Sequence, residues 1–388
     1  MFSRKPIISL LLLSIGLNGC HTPQGSADSS NVRNGEVKSR EAPEDVGIIP
    51  DQWESVKHRS QKQMSEVNKV FFVDDLYGWA VGWQGTIFHT TDMGETWSSQ
   101  KSGSRLRLRD VWFANRDVGW AIGGDIIEHN TTNRKIHNIF LYTEDGGVHW
   151  QKRELPVPNI RWKLNFVDSN NGWLVGWGND LYRQPLVART RNGGGSWDVY
   201  NVSRELSLAD PVTIRATSFV SHDEGWAIGD SIIYHSLDGG VTWEVKHVKP
   251  FDPKRGYIFE WIQFLDARTG WVGGKMAGHS GNITSITRTT DGGETWEESI
   301  PPYMFNKFHF LNSKVGIGVG YSFLSPHVNE THFDLPKYDG VVVLTTDGGI
   351  TWKEIYRVSK ENFYEVVFSE NGTGWILGER GTILCHKL

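Results

Sequence analysis

The residues of this 388-residue chain best suited to chemistry are basic, and they come in groups. Lys101, Arg105, Arg107 and Arg109 fall together; Arg134 with Lys135, Arg161, and Lys254 with Arg255 follow. Clustered cations attract carboxylates and phosphates, and the arginine fork binds a carboxylate through two parallel N–H donors. The competing reading is an ordinary charged surface, because Glu205, Asp210 and Asp252 share these segments. Trp177 is the tryptophan best placed to add an exposed aromatic. Other reactive types form no recognisable site. Of 14 histidines, His129, His137, His279, His327 and His332 sit in variable segments, without zinc-like pair spacing or His-Glu-x-x-His. They read as solvated loop residues. Gly278–Asn282 is one residue short of Gly-x-Ser-x-Gly, and no phosphate loop or dinucleotide fingerprint occurs. Carboxylates are numerous, which leaves a paired-carboxylate site open. No catalytic residue, metal or cofactor is assigned.

These residues are positioned by a repeat. Thr289–Trp296 reads TTDGGETW, and variants recur at Thr345–Trp352, Ser236–Trp243, Thr90–Trp97, Thr143–Trp150 and Thr190–Trp197, with His149 for Thr and Asn192 for Asp in two of them. Such a segment predicts a tight hairpin turn: Asp or Asn accepts from turn amides, and glycines supply backbone angles other residues resist. The turn tryptophans are spaced by 53, 47, 46, 53 and 56 residues. A second mark precedes each turn: Gly-Trp at 78–79, 119–120, 172–173, 225–226, 270–271 and 374–375, with Gly316-Ile317 in the sixth unit. Short apolar runs precede those marks. Four short strands, A to D, per such unit is the period of a β-propeller blade. Twelve of the 18 tryptophans belong to the two marks and Trp53 opens a further D strand, so packing explains these thirteen better than a sugar-stacking platform.

The two ends of the repeat array complement each other. Asp51–Val56 reads as a D strand with no A, B or C before it. The last unit has A (363–369), B (375–378) and C (382–386) but no D. The expectation is an all-β, seven-bladed β-propeller over 50–388, closed by its N-terminal strand joining the C-terminal blade. In such a ring the A–B and C–D turns lie on one face, and the B–C loops and D–A crossings on the other. Length variation falls in the B–C segments 124–138, 177–185, 275–285 and 321–338, so the binding surface is expected on that face. The partner-binding candidates are Arg105, Arg107, Arg109, Arg134, Lys135, Arg161, Trp177, Lys254 and Arg255.

Residues 1–19 read as a removable leader: Arg4 and Lys5, then an apolar run from Ile7 to Leu17 that is short for a bilayer span. Leu17-Asn18-Gly19-Cys20 resembles the lipobox of bacterial lipoprotein signal peptides, which implies cleavage before Cys20 and lipid attachment there. Loss of Arg4 and Lys5 moves the formal net charge from −5 to −7. Two or more acyl chains anchor firmly. Residues 20–49, poor in apolar side chains, read as a disordered tether. Of two cysteines, Cys385 is then left without a disulfide partner, and the fold must rest on its core.

The Asp turn resembles the Asp-box, or BNR repeat, of sialidases, xyloglucanases and sortilin-type receptors. The full unit from Val70 to Trp97 is most similar to the photosystem II stability/assembly factor family, whose members are seven-bladed propellers and, in cyanobacteria, lipoproteins. The resemblance covers about 50–388 plus the lipobox. It implies a non-enzymatic, membrane-tethered scaffold on the exported side of a bacterial envelope, binding a protein partner in or near the membrane during assembly of a complex. The alternative is a glycan-binding protein or a sialidase- or xyloglucanase-like hydrolase; no Phe/Tyr-Arg-Ile-Pro-like segment and no second propeller support it. Nucleic acid is an unsuitable partner for a lipid-anchored, net-negative chain.

Overall fold

The computed structural model describes residues 53–55, 66–126, 136–158, 160–178, 185–202, 214–248, 257–278, 281–323, 338–379 and 381–386. The leader, Cys20 and the tether lie outside them. Seven four-stranded antiparallel sheets follow one another as the blades of a propeller. The innermost A strands are Val67–Phe72, Leu108–Phe113, Ile160–Phe166, Ala216–Phe219, Tyr257–Phe264, Met304–Phe310 and Phe363–Phe368. In the seventh blade the outer position is taken by Glu54–Ser55, paired antiparallel with Cys385 and Leu384. Trp53 is buried beside it, 5.1 Å from the His386 ring and 6.4 Å from Phe368. Among the described residues no helix is long and apolar enough to cross a membrane.

The two repeat marks join each blade to the next. A phenylalanine stands six residues before every mark glycine and pairs with it across the A–B ladder, as Phe72 with Gly78 and Phe166 with Gly172. A Cβ on any of the seven glycines would lie 2.3–2.6 Å from its phenylalanine ring, so only glycine fits. The following tryptophan stacks on the phenylalanine of the next blade: Trp79 on Phe113, Trp120 on Phe166, Trp173 on Phe219, Trp226 on Phe264, Trp271 on Phe310 and Trp375 on Phe72. Five of these indoles also donate to a carbonyl in the next blade's Asp turn, for example Trp79 Nε1 to Gly146 O at 3.0 Å and Trp375 Nε1 to Met93 O at 2.7 Å. All six are fully buried, so packing is their role.

The Asp turns are self-contained hydrogen-bond cages. Asp291 Oδ1 accepts from Thr295 N at 3.0 Å and from the Thr289 hydroxyl at 2.8 Å. Thr289 Oγ1 accepts from Gly293 N, and the Trp296 indole donates to Gly293 O. Gly292 and Gly293 have φ of 80° and 86°, the left-handed region. Gly292 N donates to Arg268 O, which ties the C–D turn to the A–B turn of the same blade. The Asp turns and A–B turns therefore share one face, and the B–C loops and D–A crossings occupy the other.

Some B–C segments are shorter than the sequence suggests. In the fifth blade the ladder continues to Gly278↔Gly281, so most of 275–285 is strand. In the second, strand extends to Ile126 and resumes at Ile136. Backbone pairing carries these hairpins past the buried part of the sheet, where apolar alternation stops marking them.

Candidate binding site around the central channel

The A strands enclose a central cavity of about 600 Å³. Counting nine residues back from each mark glycine finds the side chains that dominate its wall: Lys69, Asp110, Lys163, Ala216, Trp261, Lys307 and Glu365. In the fourth and fifth blades the neighbouring Arg215 and Glu260 supply the charge instead. Register shifts interrupt the A–B ladder at this point in five blades, between Val67/Lys69, Leu108/Asp110, Phe259/Trp261, Phe305/Lys307 and Phe363/Glu365. An irregularity of this kind re-aims side chains, here at the channel. Two residues beside these shifts stitch neighbouring blades: Asn68 donates to Leu108 O and Asn306 to Phe363 O.

The channel charges are mostly paired. Lys69 lies 3.1 Å and Lys307 3.9 Å from Glu365; Lys275 lies 3.2 Å from Glu260, and Arg215 2.6 Å from Asp230. Burial opposes ionisation of Glu365, but Lys69 and Lys307 outweigh it and hold the carboxyl below its usual range. Burial likewise opposes the charge of Lys69, and Glu365 with Asp110 overcomes it. Asp110 is pushed up by burial despite Lys69 and an N–H from Leu164. Glu365 supports the charge on Lys307, yet burial and Lys69 together pull it down. Lys163 differs. Its side chain is exposed to the channel; the crowded wall and then Lys307 bring its pKa down to about 8.

At the mouth on the B–C and D–A side, Trp83 stands in the three-residue turn Trp83–Gly85 and is 48% exposed. The guanidinium of Arg107 lies over its ring, 3.9 Å from the centroid. Arg107 also donates to Asn68 Oδ1, and its backbone N–H donates to Asp125 Oδ2 at 2.7 Å. Arg109 lies 4.0 Å from Asp125 and donates to Gly124 O. Burial lowers the pKa of both arginines, and each also feels a like charge: Arg109 on Arg107, and Arg161 on Arg109. Stacking and a shared carboxylate therefore hold together cations that repel one another.

Of the nine sequence candidates, Arg107, Arg109 and Arg161 thus converge, and Arg105 is exposed in the same crossing. Arg109 and Arg161 belong to A strands rather than D–A connections. Trp177 pairs with Arg161 and Pro185 within strand B instead of opening a loop. Arg134, Lys135, Lys254 and Arg255 lie outside the described residues. Of the histidine candidates, His137 is exposed and the other four lie outside the described residues. Among the described residues no group of three or more His, Cys, Asp or Glu could hold a metal ion. Two parts of the site escape a reading by charge clusters. Trp83 is isolated in sequence, and the channel charges come one per blade; the constant spacing to the Gly mark is the signal that finds them.

Comparison with known proteins follows the same geometry. Residues 143–255 match the family model described as photosynthesis system II assembly factor YCF48. The photosystem II assembly lipoprotein Ycf48 of Synechococcus sp. (strain CC9902) is 25% identical over 237 residues, which cover 60% of this chain and 61% of that protein. The protein of the same name from a Picosynechococcus strain is 24% identical over 350 residues, covering 87% of this chain and 88% of its own. A solved structure described as YCF48 bound to D1 peptide superposes with a TM-score of 0.58 at 19% identity, over 92% of this chain and 100% of that one.

Proposed function

We propose that this chain, a seven-bladed propeller similar to photosystem II assembly factors, is a non-enzymatic scaffold whose channel mouth grips an acidic segment of a protein partner. The observation that carries the reading is the seating of Arg107 on exposed Trp83 beside Arg109 and Arg161. An aromatic floor with several guanidinium groups suits a peptide that presents carboxylates and an apolar or planar side chain. The relative solved with a D1 peptide supports a protein ligand, and the names of the other relatives support a role in assembling a photosystem II-like membrane complex.

The tether fits this role. Acylation of Cys20 at the lipobox would hold the propeller on the exported side of the envelope membrane, with residues 20–49 as its leash. Relatives named as lipoproteins support the lipid anchor. A net-positive chain is not required, because steering depends on the local field at the mouth rather than on the chain's total, −5 with the leader and −7 without it.

The test is capture of partners from gently solubilised membranes by the lipidated chain and by an Arg107→Glu/Arg109→Glu/Arg161→Glu variant. A stoichiometric membrane-complex subunit lost with the variant supports the proposal. A partner retained equally by both places binding elsewhere. If neither captures one, the scaffold reading fails, and a glycan array becomes the next experiment.

A further inference from the structure

We propose that the partner's segment lies extended across the whole B–C and D–A face, in a trough that runs from the first and seventh blades over the channel to the fourth. This deepens the mouth reading and rests on it. Strand length sets the trough. Counted from the mark glycine, strand B holds 5 residues in the first blade, 4 in the fourth and 5 in the seventh. It holds 8, 7, 9 and 8 in the second, third, fifth and sixth. The mark glycines share one level, because the same indole-on-phenylalanine stack joins blade to blade. The longer hairpins therefore stand about 7–17 Å above the shorter turns, at about 3.3 Å per residue.

The three short blades turn back in the same way: Gly82 N donates to Thr86 O, Gly229 N to Ile232 O and Gly378 N to Thr382 O. The seventh blade adjoins the first, with Trp375 stacked on Phe72, and the fourth stands opposite their junction. Low turns at opposite ends, with a pair of tall hairpins on each flank, leave a straight passage between them. Trp83 belongs to the low turn of the first blade, so Trp83 and Arg107 are reached from within the passage. A folded surface would rest on the tall hairpins before touching them. A single extended chain fits between.

Charge sets which part of the segment goes where. Arg107, Arg109 and Arg161 gather beside Trp83 on the side of the second and third blades. On the other side Glu379, held by the Tyr338 hydroxyl and the Asn362 amide, repels carboxylates. The segment's acidic residues therefore turn towards the arginines. At the far end, Asp230 in the fourth blade's turn is matched by Arg215 at 2.6 Å, which leaves no net charge there. The occupant is thus an extended segment with its carboxylates near one end and an uncharged remainder. Four strands about 4.8 Å apart make a blade about 15 Å broad, so two blades and the channel span about 40 Å, or about 12 extended residues.

The experiment uses the full chain and synthetic peptides: acetyl-Glu-Glu-Leu-Glu alone, and the same peptide with Pro-Thr tails of different length on either end, each tail tipped with a photoreactive benzophenone. The tetrapeptide tests the mouth, and the tails test the trough. In one tail direction, a tail of about 8 residues should cross-link to residues 229–231, read by mass spectrometry, and a tail of about 4 should not. Inserting a short Gly-Ser segment between Asp230 and Ser231 should weaken the long-tailed peptide at least fivefold and leave the tetrapeptide within about twofold. The cross-link to the unmutated chain holds even if the insertion variant misfolds. If the tetrapeptide binds but no tail reaches 229–231, or tail length makes no difference, or a folded insertion variant binds both peptides as the parent does, the trough is overturned and the mouth reading survives. If no peptide binds, both are overturned.

Discussion

The indole of Trp79 lies flat on the ring of Phe113 in the next blade, with centroids 3.5 Å apart and planes 9° apart. The same indole donates to Gly146 O in that blade's Asp turn. One side chain thus supplies both an apolar and a polar bond between blades. Trp79→Ala should lower unfolding free energy by about 3–5 kcal/mol, the usual loss for a buried large aromatic. Trp79→Phe should recover most of it, because stacking survives while Gly146 O loses one of its two donors and keeps the Gln100 amide at 2.8 Å. Urea unfolding of the three proteins checks the order; equal stability of the Phe variant and the parent would count against the hydrogen bond.

The glycine before each tryptophan is a space requirement. A Cβ at Gly225 would sit 2.3 Å from the Phe219 ring. Gly225→Ala is expected to cost about 1–3 kcal/mol by overpacking. Shrinking the ring should relieve the clash, so Gly225→Ala with Phe219→Leu should be more stable than the sum of the single changes implies. A double-mutant cycle measures that coupling, and simple additivity would remove the explanation.

The Asp turns predict an acid limb. N–H donation from His149 holds Asp145 at about 2, and the Thr295 hydroxyl and N–H hold Asp291 at about 2. Both lie below an ordinary aspartate, so the folded state binds protons less readily than the unfolded chain. Their stabilisation is complete above the unfolded value near pH 4 and is lost as pH falls towards 2. The third blade shows that an amide fits: Asn192 Oδ1 accepts from Ser196 N at 2.9 Å. Asp291→Asn should therefore fold, and the gap in urea midpoint between it and the parent should shrink between pH 4 and pH 2. A gap that stays constant would show that the charge of Asp291 contributes nothing.

Pairing of Glu54–Ser55 with the last strand makes a prediction about the N-terminal segment. Deleting residues 50–58 exposes one edge of the seventh blade and removes buried Trp53. The melting temperature should drop sharply, and Trp53→Ala alone should account for about 3–5 kcal/mol. An unchanged melting curve for the deletion would show that the ring does not depend on this strand.

Exposed Trp83 carries its own test. Trp83→Ala removes the surface on which Arg107 rests but leaves the repeat core intact. Partner affinity should fall about tenfold or more, as for an aromatic hot spot, while the melting temperature changes little. Loss of stability without loss of affinity would make Trp83 a packing residue.

The scaffold was far more legible than the site, for a physical reason. Each blade needs the same turn and the same indole, so Asp291 and Trp296 have counterparts along the chain and expose the period. Partnership across blades was hidden: nothing in a Gly-Trp pair says that Trp79 stacks on Phe113 rather than within its own sheet. Channel charges were hidden differently. Lys163 looks like any strand lysine until the blades are aligned and its equivalents prove to be Asp110, Lys307 and Glu365. Arg107 was visible as charge, but its seat on Trp83 depends on a turn about 20 residues earlier that only the ring brings beside it. The B–C hairpins are shorter than their sequence suggests because backbone pairing continues where side-chain patterning stops.

The pairing of Glu54 with Cys385 also sets a schedule. The strand made first is the strand placed last, because its partner emerges about 330 residues later. Six blades can assemble from neighbours in order, each buried tryptophan waiting only for the next unit. The seventh requires the longest loop in the molecule to close, a step with a large entropic cost and a slow approach. Until then, Glu54–Ser55 and the edge awaiting it are both exposed, and another copy's strand fits that edge equally well. Export of a crowded population would therefore raise strand exchange between copies, in competition with completion of each ring, and dilution during refolding should suppress it.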